Sequence, residues 1–214
     1  MIKAIIFDFD GVIAESVNVK TKAFAELYQP YGKDVVQKVV DHHLANGGVS
    51  RFEKFKIYHR DFLGKNISEQ EINNLATKFS TMVLNNVVQS PYVPGAESFI
   101  KENFDKYMMF ISSGTPELEI KEICERRLIK KYFIQIFGSP ESKSVHIQKI
   151  VKNWDLKSQE VLFIGDAPSD YNAAKENGLH FIGVGDTIKT IEKFNDYVID
   201  HMHGIGEIIG EIAH

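Results

Sequence analysis

The sequence predicts an α/β protein: a parallel sheet with helices on both faces, interrupted early by an inserted all-helical unit. Three observations predict it. Four apolar runs of strand length, Ile2 to Phe7, Tyr107 to Ile111, Val161 to Gly165 and Phe181 to Val184, are rich in Ile, Val, Phe and Met. The later runs alternate with stretches of helical period, as buried parallel strands do. Between about Val12 and Tyr92, by contrast, helical period dominates and no run of strands appears.

The first strand, Ile2 to Phe7, ends at Asp8-Phe9-Asp10-Gly11. Residues i and i+2 of a strand share a face, and like charges that close repel unless a cation separates them or one is protonated. The pair therefore suggests a cation site with a carboxylate free for chemistry. Helical period follows in Lys20 to Tyr28, Val35 to Leu44, Arg51 to Leu63 and Ser68 to Leu84. Ser68 and Glu71 form a predicted capping box. Two glycines in Ala45-Asn46-Gly47-Gly48-Val49-Ser50-Arg51 break one helix, and Ser50 can cap the next. Phe52, Phe55, Tyr58 and Phe62 recur at helical spacing and are expected to pack the unit internally. His42 and His43 are expected to be ordinary helix residues. Pro91-Tyr92-Val93-Pro94-Gly95 punctuates the return to the α/β pattern. The expected division is 1–14 with 93–214 for the core and 15–92 for the insert.

After the return come the strand Tyr107 to Ile111, a helix over Glu117 to Lys130, a helix over Val145 to Trp154, and the strand Val161 to Gly165. A helix over Ala167 to Asn177 stops at Gly178, and a weaker edge strand is expected over Tyr197 to Ile199. The His201 to Gly210 tail, with its scattered histidines, is expected at the surface or in a terminal helix.

The chain has 214 residues, 43% hydrophobic and 25% charged, enough for one full core and a smaller second unit. A net charge of -4 disfavours nucleic acid as a partner. Cys124 is the only cysteine, which excludes an intrachain disulfide and disfavours a Cys-based zinc site. No long uncharged apolar run predicts a membrane span, and the N-terminal apolar stretch is too short for a signal peptide. A cytoplasmic location is the expectation; oligomeric state is not legible.

Four groups fall at the C-terminal edge expected for a parallel sheet, where such sheets bind ligands. They are Asp8 with Asp10; Ser112, directly after Met108 to Ile111; Lys143, after Phe137-Gly138-Ser139-Pro140; and Gly165-Asp166-Ala167-Pro168-Ser169-Asp170. Singly each has a plain explanation as a cap, turn or solvated side chain. Together they offer a nucleophile, a metal site, a hydroxyl and a cation, the set that phosphoryl transfer needs.

In this order and in this chain-long arrangement the motifs resemble those of the haloacid dehalogenase-like superfamily. A helical insert straight after the first motif is similar to the C1 cap of the phosphoglycolate phosphatase and β-phosphoglucomutase branch. The resemblance implies a Rossmann-like core and a Mg2+-dependent phosphatase of a small phosphorylated metabolite. It implies Asp8 as nucleophile, Asp10 as acid and base, and Ser112, Ser113 and Lys143 on the phosphoryl oxygens. It also implies Asp8, Asp10, Asp166 and Asp170 around the metal, Asp10 through its carbonyl and Asp170 directly or through water. The third motif departs from the frequent Lys-Pro form, because Ser144 follows Lys143; Lys149 and Lys152 are the alternatives. Gly48 and Arg51 are expected to meet the substrate, Arg51 through a distal anionic group; a surface place for Arg51 is the equal alternative. Asp10 favours ester chemistry over dehalogenation. Phosphonate cleavage in related enzymes uses a cap lysine, for which Lys20, Lys22 and Lys54 stand as candidates. A sugar-phosphate mutase, a non-catalytic phospho-ligand binder and a receiver-type domain are the rival readings.

Overall fold

The computed structural model describes residues 1–191, 194 and 196–212. Six parallel strands form one sheet in the order β3-β2-β1-β4-β5-β6. They are β1 (Ala4–Phe7), β2 (Met108–Pro116), β3 (Gln135–Ser139), β4 (Val161–Gly165), β5 (His180–Val184) and β6 (Tyr197–Ile199). This is the Rossmann order. The chain leaves β1 toward β2 and β3 on one side, then returns to build β4, β5 and β6 on the other. The crevice beside β1 is thus the topological switch point, and Asp8 follows β1 there.

Four α-helices lie between β1 and β2 that belong to the insert: α1 (Val17–Tyr28), α2 (Lys33–Ala45), α3 (Arg51–Ile57) and α4 (Glu69–Gln89). A π-helical turn, Tyr58–Phe62, extends α3. The Ser68 side chain accepts from the Glu71 N–H and the Glu71 carboxylate accepts from the Ser68 N–H, the reciprocal cap the sequence predicts. Phe55 and Tyr58 are fully buried, with Phe52 and Phe62 packed against the same core, so this aromatic row is internal packing. The outgoing and returning chains run side by side: Ala14 bridges Tyr92, and the Glu15 N–H donates to Pro91 O at 2.9 Å.

The helices α5 (Ala96–Asn103), α6 (Glu117–Arg126), α7 (Lys143–Asn153), α8 (Pro168–Glu176) and α9 (Ile205–Ile212) complete the layers. One apolar face of the sheet, with Ile5, Phe7, Ile111, Leu162 and Ile182, packs against α5, α6 and α9. The other, with Ile6, Phe110, Phe163 and Phe181, packs against α7 and α8.

The sequence reading misses β3. Gln135, Gly138 and Ser139 interrupt its apolar pattern, and the strand exists because β2 offers a free edge with Ile111 opposite Ile136. It also stops β2 too early. Hydroxyls and glycine from Ser112 to Thr115 look like a turn, yet the strand runs on to Pro116, with a register shift against β3 between Ser112 and Pro116. The tail forms the terminal helix α9, one of the two expectations for it, with Ile205, Ile208, Ile209 and Ile212 on one face against the core despite Gly206 and Gly210. Among the described residues, no helix is long and apolar enough to cross a membrane.

Candidate active site

The C-terminal ends of β1, β2 and β4 converge on a cleft beneath the insert. It encloses about 710 Å³ including its open mouth, and is lined by Asp8, Asp10, Asp166, Thr115 and Gly114 from the sheet edge. Lys20, His43, Gly47, Gly48, Arg51 and Lys54 line it from the insert.

Asp8, Asp166 and Asp170 bring carboxylate oxygens within 4.8 Å of one another. Burial pushes Asp8 up to about 7, further raised by Asp170 and Asp10 and opposed by Lys143. Burial, then Asp8 and Asp170, likewise hold Asp166 well above the usual carboxylate range. Asp8 Oδ1 lies 3.0 Å from Lys143 Nζ but accepts no well-aligned hydrogen bond. Crowded, buried carboxylates with an orphaned oxygen are the donor set of a hard divalent cation. A side chain at Gly11 would run into Asp166, and Gly11 has φ +80°, so this corner requires glycine.

Asp170 is fully buried and already engaged. One oxygen takes the Lys143 ammonium and the other accepts the Ala167 N–H at 3.1 Å. Its carboxylate thus orients Lys143 and the β4–α8 turn, leaving less of it to a metal than the sequence reading gives it. Asp8 and Asp170 together hold the Lys143 ammonium firmly protonated against burial, which alone would lower its pKa. Lys143 opens α7, where Ser142 caps the helix. Lys149, by contrast, pairs with Glu141 at the surface at 2.5 Å, and Lys152 lines a separate surface depression with it.

The Asp10 side chain stands apart from that cluster. It takes a hydrogen bond from Ser16 Oγ at 2.6 Å and pairs with the Lys20 ammonium. Burial would raise its pKa, but Lys20 and these hydrogen bonds outweigh that and lower it. The Asp10 carboxylate is thus engaged away from the acid cluster, which leaves its backbone carbonyl as the only group it could turn to a cation there. Lys20 also donates to Thr115 Oγ1 at 2.7 Å, tying α1 to the end of β2. Sequence reasoning gave Lys20 no such role. Its only signal is its place in the first turn of the helix that follows the Asp10 loop.

Ser112 requires a correction. It is fully buried and its Oγ is 2.8 Å from His146 Nδ1 on α7, so it does not line the cleft. Because β2 continues past it, alternation turns its neighbour Ser113 the other way. Ser113 and Lys143 line an adjoining pocket that shares Gly48, Val49 and Gly114 with the main cleft. The Ser113 hydroxyl accepts the Thr115 N–H at 3.1 Å.

The insert touches the sheet edge through the Gly47-Gly48 turn. Ser169 Oγ donates to Gly47 O at 2.6 Å. Gly48 has φ +75°, and a Cβ there would stand 2.9 Å from Lys143 Nζ. Arg51 is neither at the surface nor free: it is 4% exposed, makes a two-pronged pair with Glu119 on α6 at 2.6 and 2.9 Å, donates to Ser80 at 2.8 Å and lies over Phe79. Glu119→Ala strands that guanidinium. The expected result is a loss of about 3–5 kcal/mol in urea unfolding, as for other broken buried pairs.

The family model of the haloacid dehalogenase-like hydrolases matches residues 5–184. The chain belongs to that family. A curated phosphoglycolate phosphatase of Vibrio parahaemolyticus is 24% identical, over 99% of this chain and 98% of that protein. A phosphorylated carbohydrates phosphatase of Thermotoga maritima is 23% identical, over 84% and 83%. Among solved structures, a β-phosphoglucomutase of Clostridium difficile superposes with a TM-score of 0.80 at 23% identity, covering 99% of this chain and 97% of that one.

Proposed function

We propose that this protein is a Mg2+-dependent phosphatase that hydrolyses a small phosphorylated metabolite through an aspartyl phosphate. The observation that carries the reading is the buried Asp8–Asp166–Asp170 cluster with Lys143 at Asp8, set at the sheet edge inside a small covered cleft. The phosphatase names of the curated relatives support it. Residues 15–92 act as the cap and the rest as the core.

Asp8 and Asp166, with the carbonyl of Asp10, would hold the cation. Bound there, it supplies charge neutralisation for an anionic nucleophile beside an anionic phosphate. Asp8 attacks phosphorus, a P–O bond forms, and the bond to the leaving oxygen breaks. Asp10 gives that oxygen a proton, then takes one from the water that releases phosphate and restores Asp8. Asp10 is anionic in its resting pair with Lys20, so its acid role requires that pair to loosen as substrate enters. Lys143 and Ser113 hold phosphoryl oxygens, and Gly48 packs the cap turn against Lys143. The insert excludes water from the reacting group.

The test is phosphate release from a panel of small phosphomonoesters with Mg2+ and with EDTA. Release that EDTA removes is the expected result. No release from any ester by folded, Mg2+-bound protein would overturn the reading in favour of ligand binding or a mutase.

A further inference from the structure

Of the four cations around the cleft, three pair with carboxylates. Lys20 faces Asp10, Lys143 faces Asp8 and Asp170, and Arg51 faces Glu119 through two hydrogen bonds. Lys54 lines the same cleft and has no carboxylate partner among the described residues. It is 2% exposed. Its partner is His43, whose Nδ1 lies 2.8 Å from the ammonium, and the Phe24 ring centroid is 5.6 Å away. When Lys54 is charged its ammonium only donates, so the His43 Nδ1 then accepts and the imidazole is neutral. Burial, then Lys54 and Lys20, hold its pKa down at about 3, consistent with that.

We infer that Lys54 recognises a second anionic group, carboxylate or phosphate, carried by the same small phosphomonoester whose phosphoryl group meets Asp8. The inference rests on the phosphatase reading and extends it to a substrate class. A buried ammonium with no counter-charge is costly. No carboxylate pairs with Lys54 directly, and burial first, then Lys20, lowers its pKa to about 7 against the more distant pull of Asp10 and Asp166. An anion in the cleft supplies the missing charge, while the aromatic wall of Phe24 and Phe79 offers a neutral polar tail no partner. Arg51, assigned this task by sequence, can take it only by leaving Glu119. Lys54 is thus the specificity determinant, and it sits one helical turn beyond the Gly47-Gly48 turn that packs on Lys143.

The experiment is calorimetric binding of non-hydrolysable analogues to Mg2+-loaded protein, so it needs no turnover. Phosphonoacetate is compared with phosphonoacetamide, and propane-1,3-bisphosphonate with propylphosphonate. Wild type is expected to bind at least one anion-tailed analogue about tenfold or more tighter than its neutral counterpart. The pair that shows the preference identifies the tail as carboxylate or phosphate. In Lys54→Met the preference collapses to near unity, and Lys54→Arg retains part of it. No preference in wild type overturns the inference without any variant having to fold. A preference that survives Lys54→Met, or is lost only in Arg51→Met, also overturns it. Failure of the phosphatase reading itself shows separately, as absent phosphate release.

Discussion

Asp8→Asn is expected to abolish turnover, by about a thousandfold or more in kcat, while the protein stays folded. The amide keeps the shape of the side chain but cannot attack phosphorus. Its effect on stability should run the other way. Asp8 is 2% exposed and crowded by Asp166 and Asp170, so removing its charge relieves repulsion that only a bound cation would otherwise offset. At pH 8 without metal, the variant is expected to melt at or above wild type, as read by calorimetry. Phosphate release is measured in parallel with Mg2+ present. Wild-type-like turnover would exclude Asp8 as nucleophile. A variant that unfolds would assign Asp8 a structural role that its environment argues against.

Metal-free protein is expected to lose stability as pH rises, and Mg2+ to restore it. Asp8 titrates near 3.8 in the unfolded chain and near 7 when folded, and Asp166 is raised in the same direction, both first by burial. Between those values the native state keeps protons that the unfolded state has released. Stability therefore falls with pH across the window from about 4 to about 7 and stays low above it. A cation bound only by the folded state at 100 times its Kd adds about 2.7 kcal/mol. For a chain of this size that is roughly 5–10 °C in Tm. The Mg2+-induced rise should be clearly larger at pH 8 than at pH 5.5, where protons occupy the same oxygens. Equal shifts at both pH values would place the cation away from these carboxylates.

The sequence shows the fold's central strands and its insert because both are written in local pattern. β1 and β4 are continuous apolar runs, and α4 announces its start through Ser68 and Glu71. What stays hidden depends on partners distant in the chain. β3 is a strand only because β2 lies beside it. Ser112 looks like the phosphate-holding hydroxyl until β2 proves longer, and one residue of alternation instead turns Ser113 to the adjoining pocket beside Lys143. Arg51 carries the chemistry of an anion reader, but Glu119, 68 positions away, already holds it. Lys54 is only one of three candidate cap lysines in the sequence, and only the folded insert buries it beside His43. Residue type thus marks the acids at the sheet edge, where position in a strand fixes orientation, better than it marks the insert's cations, whose roles depend on which acids they find.

The bridge between Ala14 and Tyr92 makes the insert modular. Its outgoing and returning chains meet at one hydrogen-bonded point, where the Glu15 N–H reaches Pro91 O and the Val93 N–H reaches Ile13 O. From the sheet's side, what lies between is a loop whose ends are already closed. Lengthening such a loop costs only slowly growing closure entropy, about 0.6 kcal/mol per doubling. Helices beyond α1 can therefore be added, trimmed or exchanged at little closure cost, while Ser16 and Lys20 at the start of the insert stay tied to Asp10. One catalytic sheet can in this way carry many different lids, each bringing its own set of cations to the same reacting phosphorus.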